Sequence, residues 1–174
     1  MAPFVGWLGS YQRRTGAAEI DKTEVTLQSL NIHADKPEGR LDVARALGSS
    51  DYEMFIYDLA PGRSSSPYHY EYAEEWVLIV DGTVTLRAPD GEHTLERGDL
   101  VRFPAGPDGA HKLMNRSDAP ARTLLFSNAR VPAVSVYPDS DKIGVFPDEE
   151  NELFFTRGSA VEWGEGEEGW HEAT

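Results

Sequence analysis

The dipeptide Asp81-Gly82 separates two short apolar runs, Trp76 to Val80 and Thr83 to Leu86. Asp-Gly adopts the positive backbone angles of a two-residue hairpin turn at little cost, so the flanking runs are expected to fold back on each other as antiparallel strands. Turn signals recur at Ala60-Pro61-Gly62, Pro89-Asp90-Gly91 and Arg97-Gly98-Asp99, with short apolar runs between them. That rhythm predicts an all-β sandwich or barrel. Further strands are expected at Tyr52 to Leu59, His93 to Glu96, Leu100 to Phe103, His111 to Asn115, Arg122 to Ser127, Val134 to Tyr137, Ile143 to Phe146 and Leu153 to Phe155. No long window has a helical period. Gly62, Gly82, Gly98 and Gly106 are read as turn residues with positive φ.

A chain of 174 residues is long enough for one domain with a real core and short for two. The expected organisation is an N-terminal arm with edge strands over 1–50, a barrel over 51–160 and an acidic tail over 161–174. Within the arm, Val25 to Leu30 reads as a strand and Asp42 to Leu47 as a single helical turn or a strand. The 30 acidic residues against 16 Lys and Arg give a net charge of -14, which would repel a phosphate backbone and argues against nucleic acid as a partner. Asp148-Glu149-Glu150 and the run from Glu162 to Glu168 read as solvated surface.

There is no cysteine, which excludes disulfides, thiolate nucleophiles and zinc-thiolate sites. Any metal must be held by His, Asp or Glu. The start MAPFVGWLGSYQRR lacks the pattern of a secretory signal, and no window approaches about 18 apolar residues. A cytoplasmic protein without a membrane partner is expected.

The stretch SPYHYEYAEEWVLIV brings charge against an apolar run. Alternate strand residues share a face, so His69, Glu71 and Glu75 can point to one side together with Val77 and Ile79, unless a turn near Ala73 breaks the parity. Tyr68, Tyr70, Tyr72 and Trp76 would then form a packing surface on the other side. Three inward ligands followed by apolar residues suit a metal site in the mouth of a barrel.

Two motifs in order resemble those of the cupin superfamily. The first runs Gly62, six residues, His69-Tyr70-Glu71, three residues, Glu75, six residues, Gly82. The second runs Gly98, five residues, Pro104-Ala105-Gly106, four residues, His111, three residues, Asn115, with two residues more than usual before the histidine. Together they span about a third of the chain. The resemblance, to small single-domain bacterial cupins, implies an antiparallel jelly-roll barrel, a homodimer formed through edge strands, and one divalent transition metal, Fe, Mn, Ni or Zn. It places His69, Glu75 and His111 on the family's ligand positions, with Glu71 where a second histidine usually stands. A second carboxylate shifts preference toward harder ions and lowers the charge of the centre.

Alternatives stay open for several residues. Glu71 reads as a fourth ligand, a general base, or a residue turned away. Glu74 competes with Glu75 for the ligand role, and the two histidines have a plain core reading. Without a metal, the clustered carboxylates would raise one another's pKa and still serve acid-base chemistry. Asn115 is expected to support its strand, and His33, His93 and His171 to lie on the surface. Tyr57, Phe103, Met114 and Phe126 are expected to fill the core, and Arg102 to face solvent or, alternatively, to clamp an acidic substrate. Three functions follow: a metal-dependent enzyme acting on a small organic substrate by dioxygenase or isomerase/lyase chemistry, a non-catalytic small-molecule or sugar-binding protein, and a partner-binding accessory protein.

Overall fold

A computed structural model describes residues 39–49, 51–128, 131–148 and 150–167. The described chain is nearly all β. Strands run at Arg40–Asp42 (β1), Glu53–Leu59 (β2), Tyr70–Glu71 (β3), Glu75–Asp81 (β4), Thr83–Ala88 (β5), Gly91–Glu96 (β6) and Leu100–Phe103 (β7). They continue at Lys112–Met114 (β8), Ala121–Ser127 (β9), Ala133–Tyr137 (β10), Lys142–Phe146 (β11) and Leu153–Thr156 (β12). Every strand expected from Tyr52 onward is present within a residue or two. Val25 to Leu30, His33 and His171 lie outside the described residues.

All pairings are antiparallel. One sheet has the order β1-β2-β9-β4-β7, a second β12-β11-β10-β3 and a third β6-β5-β8. The last two are joined into one layer by the segment leading into β3. Its Gly62 and Ser65 amides donate to the Asn115 and Leu113 carbonyls, and His69 and His111 exchange both backbone hydrogen bonds at 3.1 and 2.8 Å. The two layers close on one apolar cluster: Leu59, Val77, Ile79, Phe103 and Ala121 from the first meet Val84, Leu86, Leu95 and Leu113 from the second. This is the jelly-roll arrangement.

Asp81-Gly82 makes the expected hairpin, with Gly82 at φ 76°. A side chain there would collide with the backbone of Pro120 and Ala121, 2.8 and 2.9 Å from a Cβ, so glycine is required by the packing of the turn as well as its conformation. Gly62, Gly98 and Gly106 also take positive φ. In the arm, Asp42 ends β1 and then caps a single helical turn, Val43–Ala46 (α1), by accepting from the Arg45 amide at 3.0 Å. Both readings of that segment therefore hold in part. No described helix is long and apolar enough to cross a membrane.

One premise fails. His69, Glu71 and Glu75 do not share a strand: the chain bends at Tyr72 and Ala73, leaving His69 and Glu71 in the second layer and Glu75 on β4 in the first. They meet because the two layers face each other. β3 is a two-residue part of the longer strand read from His69 to Glu75. One short strand, β1, was not foreseen beyond Asp42; at three residues it is too short to carry an alternation.

Candidate metal centre

The centre is built from two imidazoles held in the same way. His69 and His111 are a directly opposed, hydrogen-bonded pair, which puts both rings on the inner face with centroids 4.9 Å apart. Nδ1 of His69 lies 3.0 Å from the Pro67 carbonyl, and Nδ1 of His111 lies 2.9 Å from the Gly109 carbonyl. A carbonyl can only accept, so each Nδ1 carries a proton and the neutral form of each ring has its lone pair on Nε2. Ser66 Oγ stands a further 3.3 Å from the His69 Nδ1. Phe103 stacks on His111 at 3.7 Å with the planes 8° apart, and Tyr137 stacks on His69 at 5.9 Å.

The two residues added before His111 belong to the 3-10 turn Pro107–Gly109, whose last carbonyl orients the His111 ring. Gly109 is obligatory there, because a Cβ would fall 1.8 Å from the Pro104 carbonyl oxygen.

Glu75 continues the inward face of Val77 and Ile79. Cross-strand register aligns Glu53, Ser127, Glu75 and Phe103 in one row over β2, β9, β4 and β7. Its carboxylate oxygen lies 3.8 Å from Nε2 of His111. Glu71 answers from the facing layer, 3.9 Å from Nε2 of His69, and accepts a hydrogen bond from Ser135 Oγ at 2.9 Å. Its side chain is 20% exposed against 7% for Glu75, so the centre opens on the Glu71 side.

Ligand atoms of His69, Glu75 and His111 lie within 4.8 Å of one another. Burial, and next the charge of Glu71, push the Glu75 carboxyl up to about 8. Burial, and next His69, push His111 down to about 4, which keeps it neutral. The chemistry of this donor set fits a divalent cation: two lone pairs and a carboxylate converge without hydrogen-bonding to one another, and each imidazole is oriented from behind by a carbonyl.

The other expected positions sort cleanly. Glu74 points outward, where it accepts from Trp76 Nε1 at 2.9 Å and pairs with Arg102 at 2.5 Å, which takes both Glu74 and Arg102 away from the centre. Asn115 is 1% exposed and donates to the Leu59 and Ala119 carbonyls, as a strand support should. His93 is an exposed residue paired with Asp90. Phe103 is buried core and also backs His111, whereas Phe126 lies on the outer face against Tyr52 instead of in the core. Ser135 and Tyr137 were not singled out by sequence; only their two-residue spacing on β10, opposite Glu71, pointed at the site.

A cleft of about 660 Å³ runs between β6 and β7 and includes Arg102, Phe103 and Ala110. In sheet order it lies on the β8 side of the imidazole pair, opposite Glu71, Ser135 and Tyr137. It shares Phe103, which stacks on His111, with the centre.

The Cupin domain family matches residues 55–127. A sugar phosphate isomerase of the cupin superfamily from Silicibacter pomeroyi is 32% identical and superposes with a TM-score of 0.64 over 70% of this chain and 77% of that one. The chain belongs to the cupin superfamily. A candidate sugar phosphate isomerase from Acidithiobacillus ferrooxidans shares the cupin fold at 21% identity, with a TM-score of 0.65 over 71% of this chain and 79% of that one. Tetracenomycin polyketide synthase protein TcmJ of Streptomyces glaucescens is 27% identical over 80 residues, 46% of this cupin. The match spans about half, 52%, of that curated relative.

Proposed function

We propose that this cupin is a metal-dependent enzyme that moves a proton on a small carbonyl compound, an isomerase or lyase in the broad sense. His69, Glu75 and His111 would hold one divalent ion, and Glu71 would act as the general base. The observation that carries the reading is the division between the two carboxylates. Glu75 is buried among the lone pairs, while Glu71 stands beside them, held by Ser135 and open to the mouth.

When bound, the ion supplies Lewis acidity at a substrate oxygen. The chain's own residues do the rest. Glu71 would take a proton from the carbon next to that carbonyl, the C–H electron pair delocalising toward the carbonyl oxygen, and return it to that carbon or, where an adjoining C=C bond shifts in consequence, to the far carbon of that bond, while Ser135 keeps the carboxylate aimed. Tyr137, whose phenol is pushed up by burial and by Glu71, stays protonated at the wall of the site. The isomerase of S. pomeroyi, at 32% identity, supports an isomerase reading.

The test is elemental analysis joined to isotope washout. Protein purified without chelators should carry close to one transition metal per chain, and His69→Ala with His111→Ala should abolish it. Carbonyl compounds incubated in deuterated water should exchange the C–H next to the carbonyl with the wild type and not with Glu71→Gln, which should keep its metal. A wild type that stays metal-free after incubation with Fe(II), Mn(II), Ni(II) and Zn(II) would sink the proposal. Two histidines and one carboxylate are also the donor set of Fe(II) oxygenases, which favours dioxygenase chemistry as a second reading. Substrate-dependent oxygen uptake without C–H exchange would establish it instead.

A further inference from the structure

The inner face of the second layer changes character with distance from the centre. Cross-strand register puts Glu71, Ser135, Gly144 and Phe154 in one row over β3, β10, β11 and β12. At Gly144 three rings converge. A Cβ there would stand 2.9 Å from Phe154 Cε1, 3.2 Å from Phe146 Cε2 and 3.2 Å from Tyr137 Cε2. Glycine inside a strand weakens it, and commonly marks a place where another group comes close. Here the space is taken by ring edges.

The rings continue into the centre without a gap. Phe146 meets Phe154 edge to face at 6.0 Å, Phe154 meets Tyr137 at 5.9 Å, Tyr137 stacks on His69 at 5.9 Å, and His69 lies 4.9 Å from His111. Exposure rises from 1% at His111 and 8% at His69 to 48% at Phe154, with Phe146 beyond it partly buried. A half-exposed phenylalanine on the inner face, at the open side of a buried polar cluster, is an apolar contact surface that the described residues leave uncovered.

The charges that act on this wall are two carboxylates and one amine. Glu71 and Glu152 both act on the Tyr137 phenol, and the amine facing the rings is that of Lys142, 6.0 Å from the centroid of Phe154. Beyond the centre itself, these contacts offer a phosphate dianion Lys142 alone, set against two carboxylates. Faces and edges of rings instead favour a flat π-system, which stacks or meets them edge to face.

We propose that the substrate of this centre is a planar, conjugated or aromatic molecule with an oxygen at its inner end, laid along Tyr137, Phe154 and Phe146, and not a sugar phosphate. This rests on the reading of His69, Glu71, Glu75 and His111 as the reactive end. The occupant's oxygen faces the polar cluster and its ring covers the exposed face of Phe154.

Calorimetry on the full chain with three probes tests it: 2-naphthol, its saturated counterpart 2-decalol, and ribose 5-phosphate. The expected result is 2-naphthol bound at least tenfold more tightly than either of the others. Phe154→Ala should weaken 2-naphthol at least fivefold, Phe154→Tyr should leave it within twofold, and circular dichroism should show both variants folded. Equal or tighter binding of 2-decalol or ribose 5-phosphate overturns the proposal, as does an unchanged 2-naphthol affinity in Phe154→Ala. Metal content is measured on the same samples. A metal-free wild type that still prefers 2-naphthol upholds the aromatic wall while removing the metalloenzyme reading, and a metal-loaded wild type without the preference does the reverse.

Discussion

A carboxyl buried beside a second carboxylate keeps its proton past neutrality, and Glu75 is in that position, pushed up to about 8. Its folded pKa lies above the unfolded one, so the folded state binds the proton more tightly. The stability this confers is complete below about 4.5 and is lost as pH rises through about 8. His111, pushed down to about 4, runs the other way: the unfolded chain takes up its proton first, and stability is gained as pH rises from about 4 to 6.5. The metal-free protein should therefore lose stability between pH 6.5 and 8, and Glu75→Gln should raise the melting temperature at pH 8 by an amount reflecting a few kcal/mol, on the order of one buried charge. Metal uptake must displace the Glu75 proton. Calorimetry in buffers of different ionisation enthalpy should show about one proton released per ion at pH 7, with affinity rising up to pH 8 and then levelling. The candidate ligands were legible because motif spacing carries them. Ser135 and Tyr137 were not, since a serine and a tyrosine in a strand look alike whether they face a site or a core.

At the scale of elements, the 3-10 turn Pro107–Gly109 holds the centre from outside it, and the corner around Asn115 ties the end of β2 to the chain entering β9. Gly109→Ala must move the Pro104 carbonyl or the turn, and with either the acceptor for His111 Nδ1. A cost of about 2 kcal/mol or more, read from urea unfolding, should accompany at least a tenfold loss of metal affinity. Asn115→Ala removes two buried donors to carbonyls and should cost about 2–4 kcal/mol in the same experiment, with metal stoichiometry unchanged. The strands themselves were readable from Tyr52 onward because each is bounded by a turn residue and alternates toward a core, as in the buried Glu75, Val77 and Ile79 of β4. What alternation could not tell was which sheet a residue joins. His69 to Glu75 reads as one strand with one inward face, and the bend at Ala73 instead divides it between two layers.

That division matters for the whole molecule. Glu75 comes from one layer and His69 and His111 from the other, so an ion held by all three would tie the layers together. Binding to the folded state alone stabilises it by RT ln(1 + [L]/Kd), about 2.7 kcal/mol at a hundredfold excess over Kd. For a chain of this length that is a rise of roughly 5–10 °C in melting temperature. Scanning calorimetry with and without a chelator should show it, and His69→Ala should abolish the difference. Phe154 has a different standing: it lies on β12, which among the described residues is the last strand of its sheet and bonded on one side only. Reactive groups and ring wall thus occupy parts of the fold with unequal freedom to change. If the proposed wall and centre act together, mutations accumulating in the terminal strand would retune which molecule is accepted while Glu71, three strands away, is inherited intact, a route by which one lineage could diversify its substrates.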